Sequence, residues 1–382
     1  MTHLYWFAYH NAHSASVRYR GLYVVEYLKR EFNYSCDFIV PGYSFGIVFR
    51  FIRLFCEIVF FKKKNAVIVV QKVHSKGIYA RAIRGMIRLS GLPVIYDIDD
   101  AEYLRCDPTM LHSFLQRADV CVVGSKRLQH YCMQFNQQVA INTSPVIAHN
   151  NEKYKENEVF TIGWIGGYNT NNPVSAAFSH KLSLHQLFFP ALKEIDIPIH
   201  LILLGVTEEE DVWQLDELFK ANENIRIEVP LIIDWQDEDY IYRQLARCDI
   251  GVAPMVDHPF NHAKSAFKVK QYLSCGVPVL ASDVGENGRF VHHGENGYLC
   301  SGMEDFRLRL IEFMEMDIHT RQKFSTCAKA SASEFDMEGY CDVIRGVIQS
   351  VTTEESSLAL ETNSSHITNR HSERTRISNQ SA

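Results

Sequence analysis

The chain has 382 residues, with 45 Asp and Glu against 39 Lys and Arg for a net charge of −6, and 46% of it is hydrophobic. That much apolar material can bury a large core and excludes a chain disordered throughout; at ~150 residues per domain the length predicts two domains. The mild acidity argues against nonspecific nucleic-acid binding, and the composition fits neither collagen, a coiled coil nor a short-repeat array.

Short β-branched and aromatic runs alternate with helical-period stretches, the pattern of a parallel sheet covered by helices on both faces. In chain order the predicted strands are 3–8, 37–40, 66–70, 93–99, 119–123 and 139–142, with helices over 20–30, 47–61, 76–89, 109–117 and 126–135. The polar run AHNNEKYKENE (148–158) marks a boundary, after which a second series begins. Its strands are 160–165, 200–204, 225–229, 250–253, 277–281 and 298–300; its helices are 185–195, 208–221, 238–248, 266–274, 303–316, 320–335 and 337–351. The expected fold is α/β: two Rossmann-like doubly wound domains, 1–150 and 151–335, facing a cleft where the strands end. A last helix, 336–351, is expected to return to the first domain. The tail 352–382 has no Gly, Pro or aromatic residue and is expected to be disordered.

Ten cysteines without a C-x-x-C pair, and an N-terminus without a basic and apolar leader, predict a reduced cytosolic protein. Within 45–64, Arg50, Arg53 and Glu57 interrupt the apolar run, so it is too short and too charged to span a bilayer. Two readings remain for it: a helix packed on the sheet with a basic end, or one lying on an anionic membrane surface. The seventeen histidines read as surface or core residues. There is neither a G-x-S-x-G elbow nor a Walker loop, which leaves hydrolase and NTPase readings unsupported.

The block 249–300 carries the densest chemistry: strand, polar loop with two lysines, helix, Cys-Gly-Val-Pro turn, strand and a Gly/Asn loop. Lys264 and Lys268, four apart, are expected on one face near a helix N-terminus, where free backbone N–H groups already favour a diphosphate. Gln271, three residues on, has an amide suited to a ribose diol. Gly285 with Asn287 lets the following loop bring its backbone close to a ligand. Asp97, Asp99 and Asp100 end an earlier strand; the readings are metal ligation, a structural cap, or binding of sugar and acceptor hydroxyls, with Asp99 favoured for the cleft and Asp100 behind it. Arg18 and Arg20 follow the first strand and a small-residue loop, as clamps on a phosphate or as a surface pair supporting the helix.

The stretch K-x-x-x-K-x-x-Q-Y-L-x-x-G-V-P-V-L-A-S-D-V-G resembles the nucleotide-sugar site of the two-domain glycosyltransferases of the GT-B fold, in particular the family 4-like retaining enzymes. Segments 14–28 (SASVRYRGLYVVEYL), 93–101 (PVIYDIDDA), 118–128 (ADVCVVGSKRL) and 161–170 (TIGWIGGYNT) agree in order, and the resemblance covers roughly 1–350. It implies a nucleoside-diphosphate-sugar donor held by the second domain, a glycan or lipid-linked acceptor held by the first, retention of configuration and no obligatory metal or cofactor. By position, Lys264 and Lys268 face the diphosphate, Gln271 stands where these enzymes have a ribose-binding glutamate, and Gly166, Gly167 and Thr170 lie beside the phosphates. Ala263 stands where many members have a second glutamate, Trp164 where an arginine is expected, and Asp99 where many carry a histidine. The expected function is sugar transfer in cell-surface polysaccharide or lipopolysaccharide synthesis, in the cytoplasm or at the inner face of the membrane. The alternatives are a nucleotide-sugar epimerase of the same build and a catalytically degenerate binding subunit.

Overall fold

The computed structural model describes residues 1–42, 44–75, 77–147, 157–169 and 173–352. Most of the polar run at 148–158, the tail beyond 352, Lys76 and Thr170 lie outside them. The architecture is two parallel six-stranded sheets. The first holds β1 (His3–Ala8), β2 (Ser35–Ile39), β3 (Ala66–Gln71), β4 (Val94–Ile98), β5 (Val120–Val123) and β6 (Val139–Ile141), ordered β2-β1-β3-β4-β5-β6. The second holds β7 (Phe160–Ile165), β8 (Ile199–Leu204), β9 (Ile225–Glu228), β10 (Ile250–Ala253), β11 (Val279–Ser282) and β12 (Gly297–Cys300), ordered β12-β11-β10-β7-β8-β9.

The strands form where near-continuous apolar runs can be covered on both faces. Tyr5 and Phe7 of β1 join Ile68 and Val70 of β3 in one core, while Leu4, Trp6, Val67 and Val69 join another on the opposite face. The first module's helices are α1 (Tyr23–Phe32), α2 (Phe45–Phe60), α3 (Ile78–Ser90), α4 (Thr109–Arg117) and α5 (Lys126–Cys132). Local chemistry sets several ends: Ser44 caps α2 through the Ile47 N–H, Ser125 caps α5 through Leu128, and left-handed Gly91 stops α3. The second module supplies α6 (Glu209–Phe219), α7 (Glu238–Leu245), α8 (Phe267–Ser274), α9 (Met303–Glu315) and α10 (Ile318–Ser331). The chain closes with α11 (Met337–Thr352), whose Tyr340, Cys341, Ile344, Val347 and Ile348 are buried against Leu4, Trp6 and Val24 of the first module. Among the described residues no helix is long and apolar enough to cross a membrane.

Strand order reverses between β1 and β3 in the first sheet and between β7 and β10 in the second. Such reversals send neighbouring helices to opposite faces and leave a crevice at the carboxyl ends of the strands. The two crevices face each other, and Lys72, Asp99, Asp100, Lys264 and Lys268 collect between them.

Candidate active site

A cavity of about 290 Å³ lies between the modules. The loops after β1 (Ser14, Ser16, Tyr19), β3 (Lys72) and β4 (Asp99, Asp100) line it from the first module; those after β10 (Ala253, Met255), with Lys264, Lys268 and Asn287, line it from the second. It therefore sits at both points of strand-order reversal. His180, from the helical stretch 180–193, completes the wall.

Lys264 and Lys268 both reach the cavity, but not from one helix face as the spacing predicts. A tight 3-10 turn, Asn261–Ala263, is followed by Lys264 in extended backbone and Ala266 in the left-handed region (φ 57°), and only then does α8 begin. Lys264 is thus a loop residue, and the helical periodicity that paired it with Lys268 does not apply. Lys268 lies 2.6 Å from Nε2 of His180, with its ammonium 5.6 Å from the Trp164 ring centroid. Burial, then Lys264, draws the Lys268 pKa well below that of an ordinary lysine, with Asp100 opposing. Burial and the two lysines likewise hold His180 well below the usual imidazole value. Basic groups crowded so that burial and their neighbours hold Lys268 and His180 toward their neutral forms are the arrangement a bound diphosphate relieves.

Across the cavity, Lys72 holds the two carboxylates together. Its ammonium is 3.0 Å from Asp99 and also bonds Asp100, with Glu102 at 3.6 Å behind. Burial disfavours the ammonium, but Asp100, Asp99 and Glu102 outweigh it and raise the Lys72 pKa. Burial would raise the Asp100 pKa, yet Lys72 and Lys264 take it below the ordinary carboxylate value. Among the described residues four non-glycines adopt left-handed backbone: Asn33, Asn65, Lys72 and Ala266. Asparagine tolerates that conformation, whereas Lys72 and Ala266, which do not favour it, both line the cavity; backbone strain is concentrated there.

Gly166 (φ 150°) ends β7, and a Cβ there would come within 2.4 Å of Cε and 2.8 Å of Nζ of Lys268. The glycine leaves the room that the lysine occupies. Gly167 is exposed and open, and Thr170 lies outside the described residues. Asn287 lines the cavity with its amide bonded to the Ser282 carbonyl, while left-handed Gly285 packs on the backbone of Asn261 and Lys264. Gln271 is buried one turn beyond Lys268 and is not among the lining residues.

The two arginines lie elsewhere than on the cavity wall. Arg20 is fully buried: its Nε is 2.9 Å from Asp97 Oδ1, Nη2 is 2.6 Å from Oδ2, and Nη1 donates to the Asn142 carbonyl at 2.6 Å. Its fork grips a carboxylate of its own sheet, so both Arg20 and Asp97 are structural. Arg18 donates to the His13 carbonyl and, at 3.3 Å, to Glu238 of α7. Tyr19 and Tyr23 donate to the same carboxylate, which ties the two modules together at the cleft edge.

Lys72, His180, Tyr19 and Glu238 were not singled out from sequence. Lys72 had a signal, since it directly follows a buried strand in a parallel sheet; the others are brought in by residues more than eighty positions away. Among the described residues one acid/histidine group is close enough to share an ion, His3, Asp37 and Glu57. It lies at the opposite end of β1 from the cavity, and Lys63 already pairs with Glu57 at 3.2 Å and with Asp37 at 3.7 Å.

No curated protein sequence matches the chain. Residues 174–315 match the family model described as glycosyl transferases group 1. Among solved structures, HepE of Anabaena in complex with UDP is similar at 14% identity and a TM-score of 0.62, over 92% of this chain and 100% of that one. A glycosyltransferase from Rickettsia africae gives 11% identity and 0.67, over 93% and 99%. Sucrose-phosphate synthase of Thermosynechococcus elongatus gives 12% and 0.68, over 91% and 98%. The fold is shared along essentially the whole length of each, while the identities are low. The chain thus has the two-module GT-B fold of these glycosyltransferases, and the part of it that matches the group 1 glycosyl transferase model is residues 174–315.

Proposed function

We propose that the protein moves a sugar from a nucleoside-diphosphate sugar to a hydroxyl acceptor in the cavity between its modules, with retention of configuration. The second module holds the donor and the first the acceptor, probed by the loops after β1, β3 and β4. The observation that carries this reading is the convergence of Lys264, Lys268 and neutral His180, with no carboxylate of their own module on the cavity wall among the described residues, opposite Asp99 and Asp100. HepE has been solved with UDP, with UDP and glucose, and with UDP-glucose, which supports a uridine donor as the first to try.

In the transfer the bond between the anomeric carbon and the diphosphate oxygen breaks, and the acceptor oxygen bonds to that carbon. The acceptor proton passes to the departing phosphate oxygen, so no separate protein base is required. Charge grows on the leaving diphosphate, and Lys264 and Lys268 stabilise it. Asp99 and Asp100, both paired with Lys72, accept hydrogen bonds from sugar or acceptor hydroxyls. Gly166 lets the backbone after β7 approach the phosphates, with Gly167 and Thr170 next in line; Gln271 holds the ribose, and Gly285 and Asn287 shape the donor loop. The acceptor is a glycan or lipid-linked sugar of a cell-surface polysaccharide or lipopolysaccharide, met on the cytoplasmic side of the membrane; WaaG, a structural neighbour at 10% identity and a TM-score of 0.57, is a glycosyltransferase involved in lipopolysaccharide biosynthesis.

The test is thermal stabilisation by a panel of nucleoside diphosphates and their sugars, with and without Mg²⁺. A ligand at ~100-fold excess over its Kd stabilises by about 2.7 kcal/mol, an easily measured shift. Lys268→Ala is expected to weaken the diphosphate by about 1.5 to 3 kcal/mol and to slow transfer, with the unliganded melting temperature little changed. A variant with unchanged donor affinity and rate would remove Lys268 from the site.

A further inference from the structure

Charge is unevenly distributed along this acidic chain. Between residues 44 and 90 there are ten lysines and arginines and a single acid, Glu57, whereas the rest has 29 basic and 44 acidic residues. Glu57 accepts from the Tyr5 hydroxyl at 2.8 Å and pairs with Lys63, so it offsets one of the ten. The segment contains α2 and α3, which pack side by side.

The inner face of α2 is ordinary: Leu54 and Ile58 are buried, and Phe51, Phe55 and Val59 pack against the same core. Its outer face is not. Phe45 is 86% exposed, Phe49 62%, Ile52 55% and Phe60 69%, and their spacing, with exposed Cys56 between, draws one apolar ridge along the helix. Phe61, 78% exposed, extends it. Cations flank the ridge: Arg50 and Arg53 on α2, Lys62 to Lys64 beyond its end, and Arg81, Arg84 and Arg88 on the outward side of α3. Arg50 pairs with Asp37, and Lys63 with Asp37 and Glu57, which leaves the rim cationic on balance; a helix apolar on both faces inside such a rim is not built for water.

We propose that this face docks the protein on an anionic membrane surface, with the ridge of α2 lying in the plane of the headgroup boundary and the flanking arginines and lysines against lipid phosphates. Charge complementarity selects this occupant over a second copy of the chain, whose corresponding face would bring the same cations against these. A 16-residue helix is about 24 Å long, enough to lie along the interface and too short and charged to cross it. The inference deepens the proposed action at the cytoplasmic side of the membrane and rests on that placement; it does not depend on the transfer chemistry.

The experiment is co-sedimentation of the full chain with phosphatidylcholine vesicles that contain or lack phosphatidylglycerol, at low and high salt. Binding is expected with the anionic vesicles at low salt and is expected to fall at least about tenfold without phosphatidylglycerol or at high salt. The double variants Phe49→Ser/Ile52→Ser and Arg50→Gln/Arg53→Gln are each expected to lose at least about tenfold in vesicle affinity while keeping the parent melting temperature and nucleotide-induced shift. Failure to bind, equal binding to neutral vesicles, or full binding by either variant overturns the proposal. So does a dimer in sedimentation velocity that Phe49→Ser/Ile52→Ser dissociates, since a second copy would then cover the ridge. Vesicle binding by a protein without transferase activity would leave the docking surface standing and remove the proposed function; activity without vesicle binding would do the reverse.

Discussion

Lys268 illustrates how residue identity and environment divide the information. That a lysine stands there is enough to suggest an anion, but its held-down pKa depends on burial, Lys264 and the contact with His180. A diphosphate would bring negative charge against the amine and raise its pKa, so binding should take up a proton. Affinity should therefore fall as pH rises through the region above the free-protein pKa of Lys268, where that proton must be drawn from solution. Calorimetric titration of the stabilising nucleoside diphosphate in two buffers of different ionisation enthalpy measures the uptake directly. Net uptake in the parent and less in Lys268→Ala is expected; a pH-independent affinity without uptake would exclude the coupling. Arg20 teaches the complementary lesson. Its guanidinium does bind an anion, as its chemistry suggests, but the anion is Asp97, 77 positions away in sequence. Removing either partner would leave an uncompensated buried charge, so neither is free to serve a substrate.

At the scale of elements, local pattern carried most of the information. β1, α4, β7 and β10 have the bounds expected from sequence, because apolar runs and turn residues are local signals. The start of α8 differed, and with it the geometry of Lys264, because left-handed Ala266 separates the loop from the helix and nothing in its side chain announces that conformation. The amphipathic pattern of α11 gives a helix with one buried face, yet cannot say which sheet receives it. Ile348, fully buried among Leu4, Trp6 and Val24, ties that helix to the first module. Ile348→Ala is expected to cost about 2 to 5 kcal/mol, read as a lower midpoint in urea unfolding. An unchanged midpoint would mean that the helix is not anchored there.

For the whole molecule, the central question is what keeps the cleft closed. Glu238 of α7 receives Arg18, Tyr19 and Tyr23 from the first module, and lesser links run from Ser125 to the Ala263 carbonyl (2.8 Å) and from the Lys126 N–H to Glu286 (2.8 Å). One carboxylate with three donors is a concentrated latch, because its loss takes the carboxylate acceptor from both tyrosine hydroxyls and cuts the link of Arg18 to the second module, leaving Arg18 only the carbonyls of its own loop. Glu238→Ala is expected to shift the molecule toward an open form, with a larger radius of gyration in small-angle scattering and a several-fold higher donor KM. Identical scattering curves and KM would assign closure to the remaining contacts.

The alternation of strand and helix, the existence of two sheets and the residue types available to a diphosphate were determined by the sequence itself, because each depends on neighbours within one element or one turn. The two reversals of strand order, the pairing of Lys72 with Asp99 and Asp100, the approach of His180 to Lys268, the withdrawal of Arg20 into the sheet and the latch on Glu238 were decided only by tertiary structure. Each of these joins residues far apart along the chain, and their meeting depends on how whole elements pack. The outward ridge of α2 belongs to both: its residues were legible as a mixed apolar and basic run, but only packing showed which of them the core leaves uncovered.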